Sequence, residues 1–105
     1  MYFSTNVLPP GKATLTSPIS TVSTPTPTYN WAAVTDSSWY YLWLDGPSGN
    51  VIKKWYTASD VTEGLSCEVV PQGNLGNGAY TWWIQTWNDA GYGPWSNPML
   101  FNVYI

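Results

Sequence analysis

The 105-residue sequence contains no histidine, no arginine and one cysteine. Without histidine, general acid–base catalysis loses the side chain that titrates closest to neutral pH, and a serine or cysteine nucleophile has no imidazole to activate it. A glycosidase would need two carboxylates in one cleft, but the six acidic residues are scattered, mostly beside turns. We therefore predict that the protein is not an enzyme.

Charge is scarce as well, since charged residues make up 9% of the chain. Three lysines and six acidic residues give a net charge of −3, whereas a nucleic-acid-binding surface is normally basic. The sequence has no Asp-x-Asp spacing of a calcium loop, and no apolar run approaches the length of a membrane span. We expect no metal, no cofactor, no nucleic-acid partner and no membrane span.

The single cysteine, Cys67, excludes an intrachain disulfide, and we expect it to be a small buried apolar side chain. Residues 1–5 have neither the charged nor the apolar region of a signal peptide. Either an export signal lies outside these residues, or the protein is intracellular. The low charge and the many Thr, Ser, Asn, Gly and aromatic residues are typical of extracellular β modules, so we expect an extracellular or cell-surface location.

The chain is rich in aromatic residues, with eight tryptophans and eight tyrosines. A small core needs only one or two tryptophans, so the surplus is expected at a surface, a partner contact or a ligand site. The densest stretch is YTWWIQTW over residues 80–87. A β-strand sends alternate side chains to opposite faces, so Trp82 and Trp83 cannot both lie in the core.

Short β-rich runs recur between turn signals, and no helical period of useful length is present, which is typical of an all-β sandwich. An irregular edge strand is expected in the Thr-, Ser- and Pro-rich segment that follows Ala13. The connection 60–65 and the segment 89–94 are expected to be a long loop and a turn. The other strands are predicted over 28–34, 39–45, 51–57, 66–70, 80–88 and 99–103. Seven strands predict an Ig-like sandwich over residues 12–105, preceded by an N-terminal arm over residues 1–11.

Residues 78–96, GAYTWWIQTWNDAGYGPWS, resemble strand F and the F–G turn of a fibronectin type III domain. The shared features are a tyrosine, alternating apolar positions, an asparagine and a Gly-x-Gly turn, and Trp31 and Tyr40 match the core Trp and Tyr of that family. The chain also resembles Ig-like repeats of secreted bacterial and archaeal proteins in segments 39–43 and 77–83. These resemblances imply a fibronectin type III-like sandwich that acts as a non-catalytic extracellular module.

The resemblance also orients the side chains. If Tyr80 is the corner tyrosine of the family, it points inward and its hydroxyl bonds the nearby backbone. Alternation then places Trp82 and Ile84 in the core. In the predicted strand over 39–45, the family's register likewise places Tyr40 and every second residue after it in the core. The outward residues of these two neighbouring strands then share one face: Trp39, Tyr41, Trp43, Trp83, Gln85 and Trp87. Trp55 is a further candidate for this face, but the sequence leaves its orientation open.

This face has three alternative interpretations. It could contact a neighbouring domain or protomer of the same protein, since contiguous apolar surface usually marks an interface. It could bind a glycan, because flat rings suit the apolar faces of sugars. It could also be a cross-strand aromatic ladder that only stiffens the sheet. We predict a structural or adhesion module, a spacer or assembly unit of a surface protein or filament, with a carbohydrate-binding module as the alternative.

Three further features of the sequence are informative. The arm carries the uncharged apolar residues Tyr2, Phe3, Val7 and Leu8 and is predicted to be a self-assembly strand that adds to a neighbour's sheet edge, the alternative being a disordered terminus. Lys53 and Lys54 are interpreted as charges on a sheet edge. Trp95 resembles the Trp-Ser tryptophan of cytokine-receptor modules, but the arginines on which that tryptophan stacks are absent here.

Overall fold

The structure, a computed structural model, describes residues 8–105 and forms two β-sheets. The elements in chain order are β1 (Leu15–Ser17), β2 (Ser20–Val22), β3 (Tyr29–Ala32), β4 (Trp39–Gly46), β5 (Gly49–Thr57), α1 (Ala58–Val61), β6 (Thr62–Glu63), β7 (Ser66–Val69), β8 (Gly78–Asn88), β9 (Gly91–Trp95) and β10 (Met99–Val103). One sheet has the order β1-β3-β7-β6, and the other has the order β2-β10-β8-β4-β5, with β9 also paired to β8. The predicted all-β, Ig-like sandwich is confirmed.

The first predicted strand is divided between the two sheets. β1 pairs antiparallel with β3, whereas β2 pairs in parallel with β10 in the opposite sheet. The division falls at Pro18, which has no N–H to donate to a ladder. The chain therefore crosses from one sheet to the other at the sandwich edge, and the Pro-rich composition of this segment reflects that crossing.

The C-terminal segment also forms two strands, β9 and β10, where only the second was predicted. β9 pairs with the C-terminal half of β8 and β10 with its N-terminal half. Ser96 joins the two parts, because its N–H donates to the Ile84 carbonyl at 2.8 Å and its hydroxyl accepts from the Ile84 N–H at 2.9 Å. The prediction of a turn over 89–94 was wrong for the residues of β9. Glycine and proline are tolerated there because β9 pairs with β8 on one edge only.

The predicted connection between β5 and β7 contains short regular elements. α1 begins after Thr57, whose hydroxyl accepts from the Asp60 N–H at 3.3 Å and so caps the first turn. β6 then pairs with β7. Within residues 8–105, no helix is long and apolar enough to cross a membrane.

The core between the sheets is built from aromatic edges and faces. Tyr29 meets Trp82 edge-on with ring centroids 5.1 Å apart, and Trp31 meets Tyr40 in the same way at 5.4 Å. Cys67 is buried. All of the predicted core aromatics are also buried: Tyr29, Trp31, Tyr40, Tyr80 and Trp82. The inward register predicted for β4 and β8 is therefore confirmed.

Tyr80 makes the predicted corner contact. Its hydroxyl donates to the Gly76 carbonyl at 2.7 Å, and its ring stacks on Phe101 at 5.4 Å. The bond ties the loop before β8 to the start of the strand. Because the ring is held inward at this point, the orientation of every later side chain of β8 follows from alternation.

Residues 8–11 lie against β8 and β9. The Asn88 side-chain amide donates to the Leu8 carbonyl, and the Thr86 hydroxyl donates to the Gly11 carbonyl, each at 2.8 Å. A Cβ at Gly93 would overlap the Pro10 carbonyl oxygen and Thr86 Oγ1, so only glycine allows this approach. The boundary between residues 11 and 12 remains a prediction.

Three tyrosines make the fold sensitive to alkaline pH. Burial raises the pKa of Tyr29, Tyr40 and Tyr56 above their ordinary value of 10.0. Below that value the hydroxyls are protonated in both the folded and the unfolded chain. Above it the unfolded chain loses the protons first, so stability should fall as the pH rises through and beyond about 10.

The measurement is the urea midpoint of unfolding between about pH 8 and pH 12. The Tyr29→Phe variant is the matched control, because the Tyr29 hydroxyl has no hydrogen-bond partner within residues 8–105 and one titrating group is removed at little cost. Its midpoint should decline less steeply with pH than that of the parent chain. A midpoint that stays constant up to pH 12, or an identical slope in the variant, would contradict this account.

Candidate functional site

The outward side chains of β4 and β8 lie in facing pairs on the solvent side of the larger sheet. The pairs across the two strands are Trp39–Trp87, Tyr41–Gln85 and Trp43–Trp83. All six predicted residues are therefore brought together. Trp39 is 37% exposed and the other five are half-buried.

Trp55 completes this face on the β5 side. It lies opposite Tyr41 in the register and stacks on that ring, with centroids 4.6 Å apart and an interplanar angle of 21°. The sequence left its orientation open because Lys53 and Lys54 precede it without alternation of polarity. β5 is an edge strand of its sheet, and Lys53 and Lys54 were interpreted as charges on such an edge.

β9 adds two rings that the sequence did not predict. The Trp95 centroid lies 5.9 Å from Tyr41 and 6.0 Å from Trp43, and Tyr92 lies 6.1 Å from Trp55. Tyr92 was missed because residues 89–94 were expected to form a turn, and Trp95 was missed because no strand was predicted to include it. Trp95 packs on other aromatic rings of the sheet. The outer aromatic face is therefore defined by Trp39, Tyr41, Trp43, Trp55, Trp83, Gln85, Trp87, Tyr92 and Trp95.

Two shallow grooves cross the outer aromatic face. The first, of about 300 Å³, is lined by Trp39, Trp55, Trp87 and Tyr92. The second, of about 540 Å³, is lined by Trp43, Asp45, Trp83, Trp95 and Ser96. We call them the Trp39 groove and the Trp43 groove.

Three polar contacts lie within the face. The Gln85 amide donates to the Gly93 carbonyl at 3.2 Å, which ties β8 to β9. The Trp43 indole N–H donates to Asp45 Oδ1 at 2.8 Å. Lys53 places its ammonium 4.5 Å from the centroid of the Trp43 ring. The surface therefore offers aromatic rings and one carboxylate, which suit an apolar or a cationic partner.

Chemistry that needs clustered titratable groups finds no support in residues 8–105. No three His, Cys, Asp or Glu side chains in that range lie close enough to hold a metal ion. Cys67 is buried, and its thiol lies 3.2 Å from the Thr62 hydroxyl. The predicted arm residues Tyr2, Phe3 and Val7 lie outside the described residues, whereas Leu8 is described and exposed.

Comparison with known proteins supports the fold. No protein-family model and no curated protein matches the chain. A solved structure described as "Structure of FN3tt mut" is similar to it, with a TM-score of 0.53 and 18% sequence identity over 90% of this chain and 93% of that chain. At this identity the likeness concerns the fold alone. The chain has a fibronectin type III-like sandwich.

The stacked pair on the outer aromatic face should contribute a measurable coupling energy. In a double-mutant cycle, Tyr41→Ala and Trp55→Ala should be less destabilising together than the sum of the two, by about 0.5–1.5 kcal/mol. The measurement is the free energy of unfolding in urea. As the control, Trp55→Ala combined with Leu100→Ala, an exposed residue of β10, should be additive within about 0.5 kcal/mol. Additivity of the Tyr41 and Trp55 variants would show that the stack contributes nothing.

Proposed function

We propose that this chain is a non-catalytic structural and adhesion module of an extracellular surface protein or filament, and that its outer aromatic face packs against a second copy of the module. The copy would be a neighbouring domain of the same chain or another protomer. The observation that carries the proposal is the collection of eight aromatic rings on one side of a sheet whose other side already forms the core.

The exposure of these rings favours a contact surface over an internal ladder. Rings that only stiffened the sheet would cover one another, yet Trp39, Tyr92 and Trp95 keep 37%, 63% and 38% of their surface exposed. Interfaces are enriched in Trp and Tyr at their centre and depleted of charge there. On this face the charged groups lie toward one end, where Lys53 is opposite Trp43 and Asp45 follows two residues further along β4.

The extracellular location is supported by composition. Charged residues are 9% of the chain, and the sequence resembles secreted Ig-like repeats. The apolar arm extends the same proposal, because a strand that carries Tyr2, Phe3, Val7 and Leu8 would add to the free edge of the next copy.

A carbohydrate-binding module is the second candidate, since two grooves with aromatic walls cross the face. The ring geometry favours it less. A sugar ring stacks on an open, flat aromatic face, but Tyr41 and Trp55 cover each other, and Trp43 and Trp95 stand at 88° to one another. A contact with protein side chains tolerates such uneven rings.

Self-association measured by sedimentation velocity tests the proposal. The chain should show reversible dimerisation between about 10 μM and 1 mM, and the Trp39→Ala/Tyr92→Ala variant should weaken it at least about tenfold. Leu65→Ala and Tyr104→Ala, at exposed positions outside the face, are the matched controls and should leave it unchanged.

A chain that stays monomeric up to 1 mM would refute the proposed contact, as would equal weakening by the control variants. Titration with soluble polysaccharides, followed by tryptophan fluorescence, separates the second candidate. A shift in emission that is lost in Trp87→Ala, in a chain that remains monomeric, would support carbohydrate binding in place of the contact between copies.

A further inference from the structure

The Trp43 groove differs from the Trp39 groove in having a carboxylate in its wall. Asp45 lines it together with Trp43, Trp83 and Trp95, whereas the Trp39 groove has aromatic side chains only. Asp45 Oδ1 accepts from the Trp43 indole N–H at 2.8 Å and from the Asn50 amide at 3.3 Å. These two bonds hold a negative charge beside the indole ring.

The walls of the Trp43 groove form a corner. The Trp43 and Trp95 rings stand at 88° with their centroids 6.0 Å apart, and Trp83 lies opposite Trp43 across β4 and β8. A corner of this kind contacts a compact, rounded group from more than one side. Indole rings present a negative electrostatic face, and tryptophan is the strongest of the aromatic side chains in attracting cations.

The protein already places a cation on this ring. The Lys53 ammonium lies 4.5 Å from the Trp43 centroid, within the range of a cation–π contact. Lys53 pairs with Trp43 on the β5 side, whereas Trp83 and Trp95, which also line the groove, lie on β8 and β9. The net charge of −3 adds a long-range attraction for cations.

The shortage of hydrogen-bond acceptors decides which kind of cation fits. A primary ammonium that contacts these walls gives up part of its hydration and needs hydrogen-bond acceptors in exchange. Among residues 8–105, only Asp45 and Ser96 contribute side-chain acceptors to the groove, and the Ser96 hydroxyl already accepts from the Ile84 N–H. A quaternary ammonium has no N–H groups to satisfy and carries its charge on methyl groups, which suit aromatic walls.

From these observations we propose that the Trp43 groove is a binding site for the quaternary ammonium group of a small soluble molecule. Trp43, Trp83 and Trp95 contact the methyl groups, and the Asp45 carboxylate supplies the opposite charge. Lys53 opposes the ligand, since it brings a like charge to the same indole. This site goes beyond the proposed contact between copies, and binding is measured at a protein concentration at which the chain sediments as a monomer.

Choline is the probe, and 3,3-dimethylbutan-1-ol, which has the same shape without the charge, is its matched control. Binding is followed by tryptophan fluorescence and by the NMR signals of the indole N–H groups. Choline should bind saturably with a dissociation constant of about 10 mM or below, and the neutral alcohol should bind at least about tenfold more weakly.

Variants separate charge recognition from apolar contact. Asp45→Asn should weaken choline binding at least about fivefold, whereas Lys53→Met should tighten it about twofold to fivefold, with no change for the neutral alcohol. Trp95→Ala should weaken binding, and Trp39→Ala, in the groove without a carboxylate, should not. Near-ultraviolet circular dichroism confirms that each variant is folded.

Three results would overturn the proposal: no saturable binding of choline up to about 100 mM, equal affinity for choline and the neutral alcohol, or equal losses in Trp39→Ala and Trp95→Ala. These results leave the outcome of the sedimentation test open, because that test contains no choline and uses variants of Trp39 and Tyr92, which do not line the Trp43 groove. Failure of this site and failure of the proposed contact are therefore distinguishable.

Discussion

The alternation of side chains along β8 is the constraint on which the rest of the structure depends. Tyr80 is held inward by its hydrogen bond to Gly76, so Trp82 also points inward and Trp83 must point outward. β4 pairs with β8 in a register that aligns outward residues with outward residues. Two adjacent tryptophans in the sequence therefore serve two separate surfaces, the core and the outer aromatic face.

The two surfaces use aromatic rings differently. In the core, Trp31 and Trp82 are fully buried, and edge-on contacts with tyrosine fill the space between the sheets. On the outer aromatic face the rings are only partly covered by one another, and Trp39 and Tyr92 remain open to solvent. An interior of this kind accounts for a stable sandwich. The rings of the outer aromatic face do not contribute to that interior. A contact between copies and a cation site are therefore the functions to test.

The sequence was sufficient where the family resemblance supplied an inward residue and insufficient where it did not. On β8 the corner tyrosine, Tyr80, and on β4 the family's register identify the inward residues, so the six outward residues could be predicted from the two-residue period of a strand. Along β5, Lys54 lies on the inward side of an edge strand with its ammonium 5.2 Å from the Tyr56 ring, and its long side chain reaches solvent from there. Because a charged residue occupies this inward position, the sequence did not show which side of β5 carries Trp55. β9 was missed because Gly91, Gly93 and Pro94 are typical turn residues, and the close approach of Pro10 and Thr86 explains Gly93.

Residue-resolved oxidation by hydroxyl radicals tests the central claim that the tryptophans are divided between two faces. On the monomeric chain, Trp83, Trp87 and Trp39 should be oxidised readily, while Trp82 and Trp31 should stay protected until the chain unfolds. The adjacent pair Trp82 and Trp83 is its own control, since both have the same local sequence. Oxidation of Trp82 at a rate equal to or above that of Trp83 in the folded chain would contradict the account.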